Sequence, residues 1–132
     1  MMERTLIVIK PDAVKRGLAG TILSRFELKG FKIIELKMIT PSRELAERFY
    51  IIHKGKPFFN DLLDFITSGP VVAAILEGRN AIETVRLMIG STDSSKAQAG
   101  SIRGDFGLGL TDNIIHASDS LESFNRESAV IF

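Results

Sequence analysis

The chain has 132 residues, 45% of them hydrophobic, and its 17 basic and 16 acidic residues leave a formal charge of +1. This length suits one domain with a real core, and the near-neutral charge excludes a general electrostatic attraction to nucleic acid or to acidic membranes. Because there is no cysteine, disulfides and thiolate metal sites are excluded, and an intracellular, cytoplasmic location is expected.

Targeting and metal-binding signals are also missing from the sequence. The first residues lack a basic segment followed by a long apolar run, so no signal peptide is expected. No stretch approaches the roughly 18 apolar residues of a membrane span, so no membrane association is expected. The two histidines, His53 and His116, lie far apart in the sequence, which argues against a structural zinc site.

Apolar periodicity predicts short strands and helices along one domain that spans 1–132. In chain order the predictions are a strand over 5–9, a helix over 18–29, a strand over 31–39, helices over 41–50 and 58–66, a strand over 71–76, a helix over 80–89, a loop over 90–112, a strand ending at His116, a helix over 121–127 and an apolar tail over 129–132. This order resembles the α+β, ferredoxin-like βαββαβ sandwich, in which helices cover a four-stranded antiparallel sheet.

Three local patterns refine these elements. Pro11 follows the first strand and suits the first turn of a helix, so Lys10 lies at a strand-to-helix corner, where it could enter a cleft or remain solvated. In the strand over 31–39, alternation puts the apolar residues on one side and the charged residues on the other. Phe58 and Phe59 are adjacent and cannot share a helix face, so one is expected in the core and the other exposed.

The stretch 113–120, N-I-I-H-A-S-D-S, contains His116. Ile114 and Ile115 predict a buried strand end, and the small polar residues after His116 predict a turn into a helix with Ser120 as N-cap. An imidazole at the rim of a core, beside hydroxyls and a carboxylate, has the setting of a nucleophile or general base. The alternative is a histidine packed at a strand end and bonded to a backbone carbonyl.

Glycine-rich loops that bind phosphates through the backbone are missing. There is no G-x-x-x-x-G-K-[ST] motif, and residues 107–109 (G-L-G) are not followed by a third glycine at the required spacing. A nucleotide site would therefore have to hold phosphates with side chains. Lys10, Arg86 and Arg103 are the candidates, helped by Thr92, because the planar fork of arginine suits phosphate oxygens. Taken alone, each of these cations is more often an ordinary surface charge than a phosphate ligand.

Six motifs, in order across nearly the whole chain, resemble the nucleoside diphosphate kinase family. They are R-T-L-I-V-I-K-P-D-A-V, K-G-F-K, H-K-G-K-P-F-F, S-G-P-V-V-A, S-I-R-G-D-F and N-I-I-H-A-S-D-S. The last is close to the active-site signature of the family. The resemblance implies a ferredoxin-like core and the transfer of a terminal phosphoryl group between nucleoside tri- and diphosphates by a ping-pong mechanism through a phosphohistidine. Broad base tolerance and a role in maintaining nucleoside triphosphate pools are implied as well.

The same resemblance implies roles for individual residues. His116 matches the nucleophile, Glu127 the carboxylate that binds its far ring nitrogen, and Ser118 the hydroxyl that supports this carboxylate. Phe58 matches the ring on which the base stacks, and the groups that hold the phosphates and sugar are Lys10, Tyr50, Arg86, Thr92, Arg103 and Asn113. Asn113 and Lys10 are placed near the ribose 3′-hydroxyl. The other histidine, His53, is expected to be dispensable for phosphoryl exchange. Mg²⁺ is expected to arrive with the nucleotide and to be held mainly by phosphates, with no metal ligands from the protein.

Some positions depart from the family pattern. Ala117 stands where glycine is commonest, which would cost about 1 kcal/mol if that backbone had a positive φ. The loop 93–99 lacks the usual proline, and 107–112 (G-L-G-L-T-D) is unusual before the asparagine. The family uses this loop in subunit contacts, so these departures bear on assembly more than on chemistry. The sequence also ends at Phe132, without the C-terminal extension of many members.

A homo-oligomer is expected from the long loop 90–112 and the apolar tail 129–132, because exposed apolar surface usually finds a partner. The family forms tetramers and hexamers, and the hexamer is favoured here. Two other functions compete with the kinase. A catalytically inactive binding module would be favoured by loss of the histidine or arginines, which are all present. A nucleic-acid-binding protein is disfavoured as the main role by the formal charge of +1 and the lack of a basic stripe.

Overall fold

The β-branched run near the N-terminus forms one of the two central strands of a four-stranded sheet. The structure, a computed structural model, describes residues 2–109 and 113–132. Within these residues the strands are β1 (Met2–Ile9), β2 (Lys32–Ile39), β3 (Val71–Arg79) and β4 (Ile115–Ala117). Their order across the sheet is β2-β3-β1-β4 and every neighbouring pair is antiparallel, which confirms the predicted ferredoxin-like topology.

Seven α-helices connect and cover these strands in the described part of the chain. They are α1 (Pro11–Lys15), α2 (Ala19–Lys29), α3 (Arg43–Phe49), α4 (Phe59–Ile66), α5 (Ala81–Ile89), α6 (Ile102–Phe106) and α7 (Leu121–Ile131). Their ends follow the predicted signals: Pro11 begins α1, Gly30 closes α2 with φ 115°, and Ser42 and Ser120 cap α3 and α7 by accepting from Leu45 N and Ser123 N.

Successive side chains of β1 point to opposite faces of the sheet, where they pack in two separate hydrophobic cores. Ile7 and Ile9 pack against α2 and α5 on one face, whereas Leu6 and Val8 pack against α3, α4 and α7 on the other. All four side chains are buried. The strand β1 is therefore held in place by packing on both of its faces.

Three sequence predictions need correction. The alternation of β2 is interrupted by a register shift between Ile33 and Glu35, and Leu36 and Met38 are 53% and 60% exposed on this edge strand. The loop predicted over 90–112 contains a 3-10 turn (Ser94–Lys96) and α6, while its residues 110–112 lie outside the described residues.

The predicted apolar tail is the end of α7. This helix continues to Ile131, which is 5% exposed and packs in the second core, so the tail covers the chain's own sheet. Phe58 and Phe59 divide as predicted: Phe58 is 44% exposed, and Phe59 packs against the second core.

Candidate active site

The strand β4 is short because the backbone turns sharply just before it. Ile114 has φ 63°, and Ile115 N donates to Asn113 O at 2.8 Å across it, which is a γ-turn of the rare type with positive φ. A buried β-branched residue in this region stores strain that only a fixed surrounding can hold. Lys10 N supports the turn by donating to Ile114 O at 2.8 Å.

The positive φ considered for Ala117 is found instead at Ile114, three residues earlier. Ala117 is buried in β4 and is not among the described residues with positive φ, which apart from glycine are Asn80 and Ile114. The alanine therefore occupies ordinary strand backbone and carries no left-handed penalty. The condition for a cost at Ala117, a positive φ, is therefore not met, and the γ-turn at Ile114 had no signal in the sequence.

His116 is held by a carboxylate on its far side. Its Nε2 lies 3.0 Å from Glu127 Oε1, and Ser118 Oγ donates to the same oxygen at 2.7 Å. Because the carboxylate accepts, the proton of the neutral ring sits on Nε2 and the lone pair on Nδ1. The ring of Phe49 packs edge-on against the imidazole, with centroids 5.0 Å apart. His116 is thus fixed in both tautomer and orientation.

Glu127 stays ionised although it is 5% exposed. Burial by itself raises the pKa of this carboxyl, but the bonds from His116 and Ser118 and the nearby Arg126 outweigh it, so that the pKa is lowered. Arg126 Nη2 lies 3.7 Å from Glu127 Oε2. The interpretation of His116 as a histidine bonded to a backbone carbonyl is therefore replaced by a histidine–carboxylate pair.

Arg103 ties three backbone segments together. Its Nε, Nη1 and Nη2 donate to the carbonyl oxygens of Asn113, Gly90 and Ile115 at 3.3, 3.1 and 2.7 Å. Arg103 is 8% exposed, and burial together with the charge of Arg86 lowers the pKa of its guanidinium to about 10. It remains a cation at neutral pH and keeps its charge at a fixed place beside β4.

The short helix α6 that carries Arg103 is braced from its other side. Arg25 of α2 pairs with Asp105 at 2.7 Å, and Arg16 Nη1 donates to Phe106 O at 2.6 Å. Gly104 has no room for a side chain, because the Gln98 carbonyl oxygen occupies the place of its Cβ. The position of Arg103 is thus set by contacts that reach well beyond the cleft.

Lys10 and Asn113 form a buried pair next to this arginine. Lys10 Nζ donates to Asn113 Oδ1 at 2.7 Å, and Asn113 Nδ2 donates to Thr92 O at 3.0 Å. Burial and the charge of Arg103 lower the pKa of Lys10 to about 8. The ammonium is therefore protonated at neutral pH, but by a smaller margin than an exposed lysine.

The exposed cation of the site lies at the end of β4. Arg86 Nη1 donates to Ala117 O at 3.3 Å from α5. Asp119 accepts from Ser123 Oγ at 2.5 Å, and this bond together with the charge of Arg86 lowers the pKa of the Asp119 carboxyl. Arg86 is thus the cation with its guanidinium most open to a ligand.

The other end of the cleft is aromatic. Tyr50 is buried, which raises the pKa of its hydroxyl, and its ring packs edge-on against Phe49 at 5.0 Å. His53 lies between Tyr50 and Phe58, with ring centroids 6.1 and 5.4 Å away. The part of the cleft near Phe58 has a volume of about 390 Å³, and its walls include Tyr50, His53, Phe58, Thr92 and Asn113.

The structure brings most of the predicted site residues to one connected cleft. The part around His116 is lined by residues that include Tyr50, His53, Arg86, Thr92, Arg103, Asn113, His116 and Glu127, and the part around Phe58 shares Tyr50, His53, Thr92 and Asn113 with it. Ser118 and Lys10 join through their bonds to Glu127 and Asn113. Sequence reasoning missed Phe49 and Arg126, which carry no motif of their own and are identified only by the packing of α3 against α7.

Two further observations concern metals and membranes. Among residues 2–109 and 113–132, no group of three or more His, Asp or Glu side chains could hold a metal ion. A divalent cation carried by nucleotide phosphates needs no such group. None of the helices in these residues has the length and apolar character needed to cross a membrane.

Comparisons with known proteins point to one family. A family model described as Nucleoside diphosphate kinase matches residues 3–132. Proteins of that name from Hyperthermus butylicus and Thermoplasma volcanium are 62% and 58% identical, over 99% of this chain and 92% and 89% of their own lengths. The crystal structure of the Aquifex aeolicus nucleoside diphosphate kinase has a TM-score of 0.97 at 50% identity, covering 100% of this chain and 96% of that one. The Halobacterium salinarum enzyme in complex with CDP has a TM-score of 0.96 at 46% identity, covering 100% and 88%.

Proposed function

The chain belongs to the nucleoside diphosphate kinase family, and from that premise we propose which of its residues carry out the reaction. The activity is that of the family: a phosphotransferase moves the terminal phosphoryl group of a nucleoside triphosphate to a nucleoside diphosphate. The proposal concerns the roles of individual residues, the metal, the assembly and the location.

His116 is the nucleophile of a two-step, ping-pong reaction. In the first step the Nδ1 lone pair forms a bond to the γ-phosphorus while the bond to the β,γ-bridging oxygen breaks, and the nucleoside diphosphate leaves with that electron pair. In the second step a terminal oxygen of an incoming nucleoside diphosphate attacks the same phosphorus while the bond to Nδ1 breaks, and the electron pair of that bond returns to Nδ1, which restores neutral His116. The proton on Nε2 stays in place throughout, so no general base is needed.

The observation that carries this assignment is the bond between His116 Nε2 and Glu127 at 3.0 Å. It keeps Nδ1 unprotonated before attack, and it stabilises the positive ring that forms when Nδ1 bonds to phosphorus. Ser118 holds the accepting oxygen in place from a second direction. The carboxylate acts through the imidazole and does not need to touch the nucleotide.

The cations position and neutralise the phosphates, because phosphoryl transfer needs alignment and charge compensation more than covalent chemistry. We assign Arg86, Arg103 and Thr92 to the phosphates, and Lys10 and Asn113 to the ribose 3′-hydroxyl. Tyr50 is assigned, together with these residues, to the groups that hold the phosphates and sugar. Phe58 offers an exposed ring on which a base can stack without hydrogen bonds, so all bases should be accepted.

The family requires a divalent cation, and we assign it as Mg²⁺ that enters with the nucleotide and is held mainly by its phosphates. When bound, the ion neutralises charge on the transferring phosphates. This agrees with a site whose described residues supply arginines and a lysine rather than a carboxylate cluster.

The family is oligomeric, and we propose a homohexamer in preference to a tetramer. Support comes from apolar side chains that one subunit leaves exposed, such as Leu28 at 84% and Met38 at 60%. The tail that first suggested an interface no longer contributes, since Ile131 is in the subunit's own core. We also propose a cytoplasmic location and a role in maintaining nucleoside triphosphate pools, with nucleic acid not a main partner.

Incubation with ATP and Mg²⁺, followed by intact-mass measurement, tests the assignment. The protein should gain the mass of one phosphoryl group in an acid-labile bond, and adding a nucleoside diphosphate should remove it. His116→Ala should not be labelled. Labelling of this variant at the wild-type rate would assign the phosphoryl acceptor to another residue.

A further inference from the structure

Glu127 uses only one of its two carboxylate oxygens in the pair with His116. Its Oε1 accepts from His116 Nε2 at 3.0 Å and from Ser118 Oγ at 2.7 Å. Its Oε2 faces Arg126, whose Nη2 lies 3.7 Å away, and this is the ion pair that Arg126 makes in the described part of the chain. The arginine therefore places its charge next to the oxygen that His116 leaves unused.

This contact requires the side chain of Arg126 to turn back along α7. Neighbouring residues of a helix project in directions about 100° apart and do not normally face each other. Although 28% of the Arg126 side chain is exposed, its Nε and Nη2 are shielded from solvent, and neither donates a hydrogen bond to a residue within 2–109 or 113–132. Enclosing a cation without hydrogen bonds costs free energy, and the attraction to Glu127 offsets part of that cost.

The carboxylate of Glu127 needs a positive neighbour because it is itself only 5% exposed. Burial raises the pKa of this carboxyl, whereas the bonds from His116 and Ser118 and the charge of Arg126 lower it. His116 is neutral before it attacks, and Ser118 carries no charge. Among the described groups that lower this pKa, Arg126 is therefore the one with a permanent positive charge.

Two further titratable groups face the carboxylate, from α3 and from the turn that follows it. Burial, helped by the charge of Glu127, raises the pKa of the Tyr50 hydroxyl, so it stays neutral. Burial and nearby positive charges, that of Arg126 included, lower the pKa of His53, so its ring is also neutral at neutral pH. Neither group can replace the charge of Arg126.

We propose that Arg126 is a positioning residue for His116: it holds the second oxygen of Glu127 and thereby keeps the carboxylate charged and aligned behind the imidazole. The inference rests on the proposed roles of His116 and Glu127 in phosphoryl transfer. Arg126 is not among the described residues that line the cleft around His116, so it acts through Glu127 and does not need to touch the nucleotide.

The consequence is a dependence of activity on pH. His116 and Glu127 take up protons as a coupled pair. A proton on the pair stops the attack, because it either occupies Nδ1 or removes the negative charge behind the ring. A cation beside the pair disfavours this uptake. Arg126 should therefore extend phosphoryl transfer to lower pH, and its loss should move the acid limb to higher pH.

The test is the rate of His116 phosphorylation by saturating ATP and Mg²⁺ in single-turnover experiments at two pH values. Arg126→Met keeps the aliphatic stem without the charge, and its rate should lie within about threefold of wild type at about pH 8 but at least about tenfold below it at about pH 5. Arg126→Gln should behave in the same way. Arg126→Lys keeps a positive charge and should follow the wild type within about threefold at both pH values, since no forked hydrogen bonds are lost.

The matched control is Arg48→Met, which removes an exposed arginine from α3, the helix that packs against α7. It should match the wild type at both pH values. In the Glu127→Gln background, Arg126→Met should change the rate by less than about twofold at either pH, because the group through which Arg126 acts is gone.

These variants separate the inference from the proposed function. A wild-type rate for Glu127→Gln would overturn the role of Glu127 itself. If Glu127→Gln is slow, four outcomes would each overturn the role of Arg126 alone: a wild-type pH profile for Arg126→Met, an equal fall at both pH values, failure of Arg126→Lys to restore the profile, or an undiminished effect of Arg126→Met in the Glu127→Gln background.

Discussion

The two ends of the cleft are built in opposite ways. At the phosphate end Lys10, Arg103, Asn113 and Glu127 are between 3% and 8% exposed and make side-chain hydrogen bonds. At the base end Phe58 is 44% exposed on a segment that is mostly in solvent. Fixed charges are needed where charge moves during the reaction, because preorganised groups need no rearrangement at that moment. A base that is only stacked needs the face of a ring, and a ring that makes no hydrogen bonds to the base accepts different bases.

Removing His116, the proposed nucleophile, should abolish phosphoryl transfer at the phosphate end. His116→Ala should lower exchange between ATP and a nucleoside diphosphate by at least about 10⁴-fold, because no covalent intermediate can form. Nucleotide binding, measured by calorimetry, should remain. His53→Ala serves as the histidine control and should still be phosphorylated at saturating ATP.

Removing the charge behind the nucleophile should have the next largest effect. Glu127→Gln keeps an oxygen for Nε2 but loses the negative charge that stabilises the positive ring, and we expect kcat to fall about 10³-fold. Ser118→Ala leaves the carboxylate in place and should lower kcat far less. Equal losses in the two variants would mean that Glu127 acts only by orienting the ring.

Contacts with the ribose 3′-hydroxyl should distinguish the phosphate end of the cleft from the base end most directly. A hydrogen bond from the 3′-hydroxyl to the leaving oxygen strengthens in the transition state, so a 3′-deoxy substrate should lose about 2 to 4 kcal/mol in kcat/KM. The effect of Asn113→Ala should overlap with this loss rather than add to it, because both disturb one network.

The structure sharpens that ribose test. Asn113 also accepts from Lys10 and donates to Thr92 O, so Asn113→Ala should lower activity with the 3′-deoxy substrate somewhat, through the displaced lysine. Full addition of the two losses would assign Asn113 to bracing the backbone and not to the hydroxyl.

The buried lysine should give the phosphate end a pH dependence. Lys10 has a pKa lowered to about 8, so in the free enzyme it is charged below that pH and neutral above it. Its attraction to the nucleotide is therefore lost as pH rises, and kcat/KM should fall above about pH 8 by up to tenfold per pH unit. Lys10→Arg should move this limb to higher pH, since arginine stays protonated. If kcat/KM of Lys10→Arg falls at the same pH as in the wild type, the fall is due to another group.

Changes at the base end should have the smallest effects. Replacing adenine by guanine in the substrate should change kcat/KM by only about twofold to threefold, because stacking makes no hydrogen-bond demands. Phe58→Ala should weaken the binding of all nucleotides by about 1 to 3 kcal/mol. A loss confined to one base would show that the base end reads hydrogen bonds, contrary to the comparison above. The measurement is kcat/KM for four nucleoside diphosphate acceptors, each with the same nucleoside triphosphate as donor.

Much of this site was accessible from the sequence, for reasons visible at particular residues. Pro11 after a β-branched run marks the corner that carries Lys10, Ser120 marks the start of α7, and Gly30 marks the end of α2, since each relies on a local backbone property. The motifs around Arg103 and His116 led to the family and, through it, to the proposed roles of the site residues. Local chemistry and motif spacing are properties of the sequence alone.

Other features depended on contacts between distant segments. The pairing of His116 with Glu127 requires α7 to pack beside β4, and Phe49 reaches His116 only because α3 packs against α7. Arg103 binds the carbonyls of Gly90, Asn113 and Ile115, so this candidate phosphate ligand is also a buried brace of the backbone. No local pattern encodes these bonds, since each becomes favourable only when burial removes water from the partners.

By itself the sequence determined the order of strands and helices, their caps and corners, and the residue types of a phosphoryl-transfer site. Only the tertiary structure decided where the backbone strain lies and which residues line the same wall of the cleft. Ile114 rather than Ala117 takes the positive φ, and α7 rather than a free tail carries Ile131 into the core. The physical reason is that strain and burial are settled by the whole packed chain: a strained γ-turn persists only where the bonds of Lys10 and Arg103 leave the backbone no alternative.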